Sequence, residues 1–219
     1  MSLLDFARGP ALNVAYAVFL LGVAWRLVAL LFLPRNKDLS VPRPDAPSTP
    51  AAAGAGILRY MRVAPGLGTL PKMAVWNGYV FHIGLAVVVF LFTQHILVIK
   101  GLIGLSWPGL PTSVITVVAV VTLASLIAAL VRRLMSPVLR LLSGFNDYFS
   151  WLVTFLPVLT GLLAVAHLGA RYETLLALHI LSVAALLIWF PFGKLFHAVL
   201  VWFTRGQTGV FYRRRGVAL

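Results

Sequence analysis

YETLLALHILSVAALLIWFPFGKLFHAVLVWF, residues 172–203, is the stretch on which the fold turns. It is apolar along its length, with His179 near one end, His197 near the other, and Pro191, Gly193 and Lys194 between them. Read as one helix turning by about 100° and rising about 1.5 Å per residue, the two histidines return to one face roughly 27 Å apart. They then point the same way at opposite depths of a bilayer. An ionisable side chain inside a membrane is costly and faces the interior of a bundle or a cavity. With no carboxylate close by on that face, two such imidazoles suggest ligands.

Composition agrees with a membrane location. The chain has 219 residues, 61% of them hydrophobic and 11% charged, and a mean hydropathy of +0.97, far from ordinary soluble composition. The net charge of +13 is first a record of topology, because basic residues gather on the cytoplasmic side of membrane proteins. No basic, aromatic-interleaved soluble domain is present to bind nucleic acid, so that partner is excluded. Cysteine is absent, which rules out disulfides, thiolate-held iron–sulfur clusters and covalent attachment of c-type haem within this chain. Histidine, methionine and carboxylates remain as metal ligands.

The pattern predicts an all-α integral membrane bundle of five transmembrane helices forming a single domain, at about residues 10–33, 73–99, 112–131, 147–168 and 172–203. The first span lacks the cleavage site of a signal peptide and reads as a retained helix. Residues 35–72 form the long polar connection; its Pro/Ala/Gly-rich part, 41–56, reads as a flexible cytoplasmic loop, and 57–63 as a short interfacial helix or plain basic loop. The second span carries His82 and His95, thirteen residues apart and therefore about 140° out of register on an ideal helix. The third has no histidine and stops at Arg132-Arg133. The fourth contains Pro157, where a kink is expected, and ends with His167. Pro191 predicts a bend within the fifth, and residues 204–219 form a basic tail.

Alternate connections separate the charges. Arg35, Lys37, Arg43, Arg59, Arg62, Lys72, Arg132, Arg133, Arg140, Arg205, Arg213, Arg214 and Arg215 fall at one end, against Arg8, Lys100 and Arg171 at the other. The first set belongs in the cytoplasm, placing the N-terminus outside and the C-terminus inside. The second helix then rises from the cytoplasmic side and the fifth descends to it, so His82 pairs in depth with His197, and His95 with His179. Two bis-histidine sites between antiparallel helices suit haem b, two per chain, each iron held from opposite faces.

The same residues carry a family resemblance. Phe81-His-Ile-Gly84, Ser136-Pro137, Leu178-His179 and Phe190-Pro-Phe-Gly-Lys-Leu-Phe-His197 resemble the cytochrome b (gamma) subunit of respiratory nitrate reductase and its relatives in heterodisulfide-reductase-like and dissimilatory sulfite-reductase-linked membrane complexes. The resemblance covers roughly residues 73 to 205. It implies a five-helix electron-transfer subunit in a bacterial or archaeal cytoplasmic membrane. Such a subunit binds two b haems, oxidises quinol toward the outer side and relays electrons to a cytoplasmic iron–sulfur subunit. By position, His82 and His197 match ligands of the inner haem and His179 a ligand of the outer one; its second ligand is His95, or in reserve His167. Terminal catalysis then belongs to another chain.

The remaining candidates are weaker. His167, Lys100 and Glu173 lie toward the outer end, where a quinone would enter from membrane lipid, and His167 has an interfacial, merely hydrated alternative. Arg26 and Lys194 are candidate partners for haem propionates, or else snorkel to the interface. Phe211-Tyr-Arg-Arg-Arg215 and the first cytoplasmic loop form a candidate docking surface. The rival to the electron-transfer reading is a haem-free membrane anchor or small transporter whose histidines make interhelical hydrogen bonds or relay protons.

Overall fold

The computed structural model describes residues 1–34, 40–62 and 69–217, and of residues 69–71 the backbone alone. Those residues form helices and turns; the one extended pairing among them is an isolated bridge between Phe92 and Leu110. In chain order, α1 (Leu3–Phe6) runs through a π turn at Ala7–Ala11 into α2 (Leu12–Leu31), followed by α3 (Thr49–Tyr60) and α4 (Thr69–Leu91). Then come α5 (Thr93–Ile103), α6 (Thr112–Met135), the short α7 (Pro137–Leu141), α8 (Phe145–Ala166), α9 (Tyr172–Trp189) and α10 (His197–Arg214), the last preceded by a 3-10 turn at Lys194–Phe196. Five segments are long and apolar enough to cross a membrane: Leu3–Leu31, Lys72–Leu91, Thr112–Met135, Phe145–Ala166 and Tyr172–Trp189. The five-span, all-α expectation holds at that level.

Its boundaries need correction in four places. The first span starts at Leu3, not near residue 10: Ser2 and Asp5 close a capping box, and Pro10 lies inside the wider π turn, where a missing N–H is absorbed. The second span, expected as one helix over 73–99, stops at Leu91. Phe92 is extended (φ −82°, ψ 124°), and α5 restarts at Thr93. The carbonyls released there are recovered from the loop beyond: Leu110 N–H donates to Leu91 O at 2.8 Å and the Trp107 indole N–H to Phe90 O.

The fifth span, expected as one helix over 172–203, is also two. α9 ends at Trp189, and the chain turns through Pro191 and Gly193 before α10 begins at His197. Pro191 has no N–H to continue the ladder, so the expected bend is a full break. His179 and His197 therefore share no helix, and the eighteen-residue same-face argument does not place them.

Finally, much of the connection expected to be flexible is helical. Pro50 sits in the first turn of α3, where its missing donor costs nothing, and the following Ala and Gly residues give a smooth surface. On it packs α10, which extends through most of the expected tail to Arg214. A Cβ on Gly56 would lie 2.5 Å from Gly209 Cα and 2.6 Å from Arg205 O, so the two backbones cross at van der Waals distance only because both positions are glycine. The remainder of that connection, 35–39 and 63–68, and residues 218–219 lie outside the described residues, as does Val63 of the expected interfacial helix.

The spanning helices pack as a row: α4 on α6, α6 on α8, α8 on α9, and α9 on α2. Polar contacts knit the row. Ser125 Oγ donates to Asn77 Oδ1 at 2.7 Å between α6 and α4, the Trp151 indole donates to Leu126 O at 2.8 Å between α8 and α6, and the Trp189 indole donates to Ser150 Oγ at 2.9 Å between α9 and α8. Among the described residues, α4 and α9 are not one of the closely packed pairs. The histidines meet between α4 and α10 and between α5 and α9.

Candidate functional site

At the basic end, His82 of α4 faces His197, the first residue of α10, with ring centroids 5.9 Å apart and planes at 85°. At the opposite end, His95 of α5 faces His179 of α9 at 6.1 Å, with planes at 14°. These are the partners expected from depth. Two imidazoles bound to one metal through nitrogen at about 2.0–2.1 Å, each ring centre about 1.2 Å behind its nitrogen, have centroids roughly 6.4 Å apart. Both observed centroid separations fall within about 0.5 Å of that value.

The tautomer is prepared in all four. Nδ1 of His82 lies 2.7 Å from Gly78 O, that of His95 2.8 Å from Val88 O, that of His179 3.1 Å from Pro157 O, and that of His197 2.7 Å from Lys194 O. A carbonyl can only accept, so Nδ1 carries the proton and Nε2 keeps its lone pair for a metal. Among the described residues no three His, Cys, Asp or Glu side chains converge. Each site therefore offers two protein nitrogens and leaves the other coordination positions to a group bringing its own donors, which is what a porphyrin does. The donor set, two imidazoles at each site, fits haem b.

Each ligand is set by a local feature of its helix. Gly78 is one turn before His82, and its carbonyl takes the ring proton. The break at Phe92 removes the 140° mismatch between His82 and His95 and leaves Val88 O in the last turn of α4, where His95 caps it. His179 reaches across to α8 at the level of Pro157 and also lies 3.3 Å from Thr160 Oγ1, which is 3.0 Å from Ser182 Oγ. Gly161 opens the space it occupies: a Cβ there would stand 3.1 Å from His179 Cε1 and 3.2 Å from Nδ1. His197 takes its acceptor from the 3-10 turn that follows the second break.

The other expected residues are distributed differently. His167 ends α8 in a left-handed conformation (φ 55°, ψ 38°), exposed, with its ring 5.1 Å from that of Tyr172 and Nδ1 3.1 Å from Val165 O. The ring that meets His179 is that of His95. Lys100 near the end of α5 and Glu173 in the first turn of α9 are exposed at the same end of the bundle as His167. Arg26 of α2 donates to Pro191 O at 3.4 Å and lies 4.7 Å over the ring of Phe196, the neighbour of His197. Lys194 instead forms an ion pair with Asp147 at 2.6 Å, an acid shared with Arg133 at 3.0 Å. A carboxylate already occupies the Lys194 ammonium, so of the two expected propionate partners Arg26 is the one beside the basic-end pair with no acidic partner among the described residues.

Sequence reasoning missed the residues that shape these ligands: Phe92, Trp107 and Leu110 at one break, Asn146, Asp147 and Ser150 at the other, and Thr160 with Ser182 beside His179. The signals were the angular mismatch itself, the turn-rich Trp107-Pro-Gly-Leu-Pro111, and Asp147, an acid just inside the fourth apolar run.

No family model matches this chain, and no solved structure matches it. A protein of Nitratidesulfovibrio vulgaris whose name states no activity is 36% identical to it over 141 residues. That match takes in 64% of this chain and 62% of the relative, so the chain spans less than two thirds of the relative's length.

Proposed function

We propose that this chain is a di-haem cytochrome b subunit of a respiratory oxidoreductase complex in a bacterial or archaeal cytoplasmic membrane. It relays electrons between the quinone pool and a cytoplasmic iron–sulfur partner. The carrying observation is the pair of imidazole clamps, 5.9 Å and 6.1 Å between centroids, with every Nδ1 on a main-chain carbonyl. Histidines that merely joined helices would have little reason to meet twice, at two depths, at a separation suited to a metal between them.

In this reading His82 and His197 hold the inner haem and His95 and His179 the outer one, and bound haem b supplies a one-electron couple at each level. The chain's residues fix the imidazoles and set ligand basicity through the carbonyls on Nδ1. Arg26 is available to an inner propionate. His167, Lys100 and Glu173 border the outer end, where quinol would arrive from the lipid and give up its protons. At the basic end, α3 and α10 present a surface for the soluble partner. Among the described residues, Arg205 Nη1, Arg213 Nε and Arg214 Nε are buried there without acceptors, beside an apolar groove lined by Ile57, Trp202, Phe203 and Phe211, which favours an acidic-rimmed apolar partner.

A reduced-minus-oxidised spectrum of the purified chain with haem counted per polypeptide tests this. Two b haems are expected, falling to one in His197→Ala and, separately, to one in His179→Ala. A chain without a haem band is instead the anchor or transporter.

A further inference from the structure

The break between α9 and α10 is tied to the first turns of α8. Before it, Trp189 donates its indole N–H to Ser150 Oγ at 2.9 Å, and Ser150 Oγ donates to Asn146 Oδ1 at 3.1 Å. After it, the same Asn146 Oδ1 accepts the main-chain N–H of Lys194 at 2.8 Å, while Asp147 Oδ1 accepts the Lys194 ammonium at 2.6 Å. Asp147 is itself held, by the N–H of Gly144 at 3.1 Å and by Arg133 Nη1 at 3.0 Å, and Arg133 also donates to Ser143 Oγ at 2.6 Å. Lys194 is the residue whose carbonyl receives the His197 Nδ1 proton at 2.7 Å. Hydrogen bonds from α6 and α8 therefore converge on Lys194, whose own carbonyl meets the ring of His197.

We propose that Asn146 and Asp147 are positioning residues for the inner haem. By gripping both the amide and the ammonium of Lys194, they fix the carbonyl that sets the tautomer, azimuth and basicity of His197. The inference rests on the reading of His197 as an inner-haem ligand. The need for a grip is physical. The run from Phe190 to Phe196 is held along its main chain by a few turn bonds, such as Gly193 N–H to Trp189 O and Phe196 N–H to Gly193 O; one residue of it is glycine and another proline, and a three-residue 3-10 turn directly precedes the ligand. A ligand at the start of a new helix has only that short turn before it to hold its ring, so the acceptor in the turn needs a hold from elsewhere. The partner of a histidine's second nitrogen governs both its orientation and its donor strength, and loss of that partner changes the bound metal rather than merely loosening the fold. The outer ligands take their acceptors from Val88 and Pro157 and do not depend on this grip.

The test uses the full chain with its haems in place. Wild type is titrated first, and the component missing from His197→Ala is taken as the inner haem. A wild type with no haem overturns the functional reading before any positioning residue is examined. Asn146→Ala and Lys194→Met are then compared with Lys194→Arg, which keeps the ion pair. The expected result is a shifted midpoint and changed low-spin resonance of the inner component, or loss of at least half of it. The outer component serves as the folding control and stays as in wild type, and Lys194→Arg restores the inner signal. An inner midpoint and resonance unchanged in both Asn146→Ala and Lys194→Met overturns the proposal, as does loss of both haems together, which is the mark of a general structural defect.

Discussion

Each of the four imidazoles spends one nitrogen on a carbonyl and keeps the other, but the two pairs differ in how their rings are turned. The basic-end pair is close to perpendicular, at 85°, and the other close to parallel, at 14°. Ring orientation in a bis-imidazole haem sets the splitting of the ferric d orbitals that point between the ring planes. Perpendicular rings leave those orbitals nearly degenerate, and parallel rings separate them. The oxidised protein should therefore give two low-spin resonances, one highly anisotropic and one rhombic, and only the anisotropic one should vanish in His82→Ala. A second outcome follows from Gly161, whose missing side chain leaves room for His179. Valine there drives its branches into the imidazole, and overpacking of this kind costs about 1–3 kcal/mol. Gly161→Val should deplete the outer haem roughly ten- to hundredfold in affinity while the inner resonance persists, since about 1.4 kcal/mol corresponds to a factor of ten.

At the scale of elements, the chain uses interruption as its positioning device: His95 follows the break at Phe92, and His197 follows the break at Phe190–Gly193. The contact between α3 and α10 is made by close approach instead, and it can be tested separately. Gly209→Leu would place a side chain against Ala52 O and Gly56 Cα, atoms already 2.5 and 2.6 Å from an ideal Cβ. The two helices should part, exposing residues 40–62 to limited proteolysis and abolishing binding of the proposed partner, with the signal of the His95–His179 pair retained because neither α3 nor α10 contributes to it. What could be read from sequence follows the same division. The five spans were legible because length, low charge and apolar composition suffice to mark them. Depth-pairing of His82 with His197 and His95 with His179 was legible because charge sorting fixes which way each helix runs. The breaks were not, because helical periodicity carries no information about where the ladder stops: Phe92 is neither glycine nor proline, and the loop groups that cap Phe90 and Leu91 come from residues 107 and 110. α3 was hidden for a different reason. Its Pro/Ala/Gly composition is that of a linker, and only the presence of Gly209 opposite Gly56 makes those small residues an asset.

For the whole molecule, what matters is which end meets which compartment. The bundle places Arg132, Arg133 and Arg140, with Arg59, Arg62 and Arg205 to Arg215, at the end that holds His82 and His197, and leaves Arg171 and Lys100 at the end that holds His95 and His179. Positive residues resist transfer across a membrane, so the crowded end should be cytoplasmic. In the proposed reading, that orientation would offer α3 and α10 to a soluble cytoplasmic partner and put the His95–His179 pair nearest the side where quinol would release its protons. The absence of cysteine allows it to be tested cleanly. Leu142, between α7 and α8, is 71% exposed, and Leu168, between α8 and α9, is 59% exposed, and the two mark opposite ends of one spanning helix. A membrane-impermeant maleimide applied to intact cells should label Leu168→Cys and spare Leu142→Cys, and permeabilisation should make Leu142→Cys reactive. The reverse pattern would invert the bundle and strand the arginine surface outside the cell, so one labelling experiment decides whether α10 can face the proposed iron–sulfur partner at all.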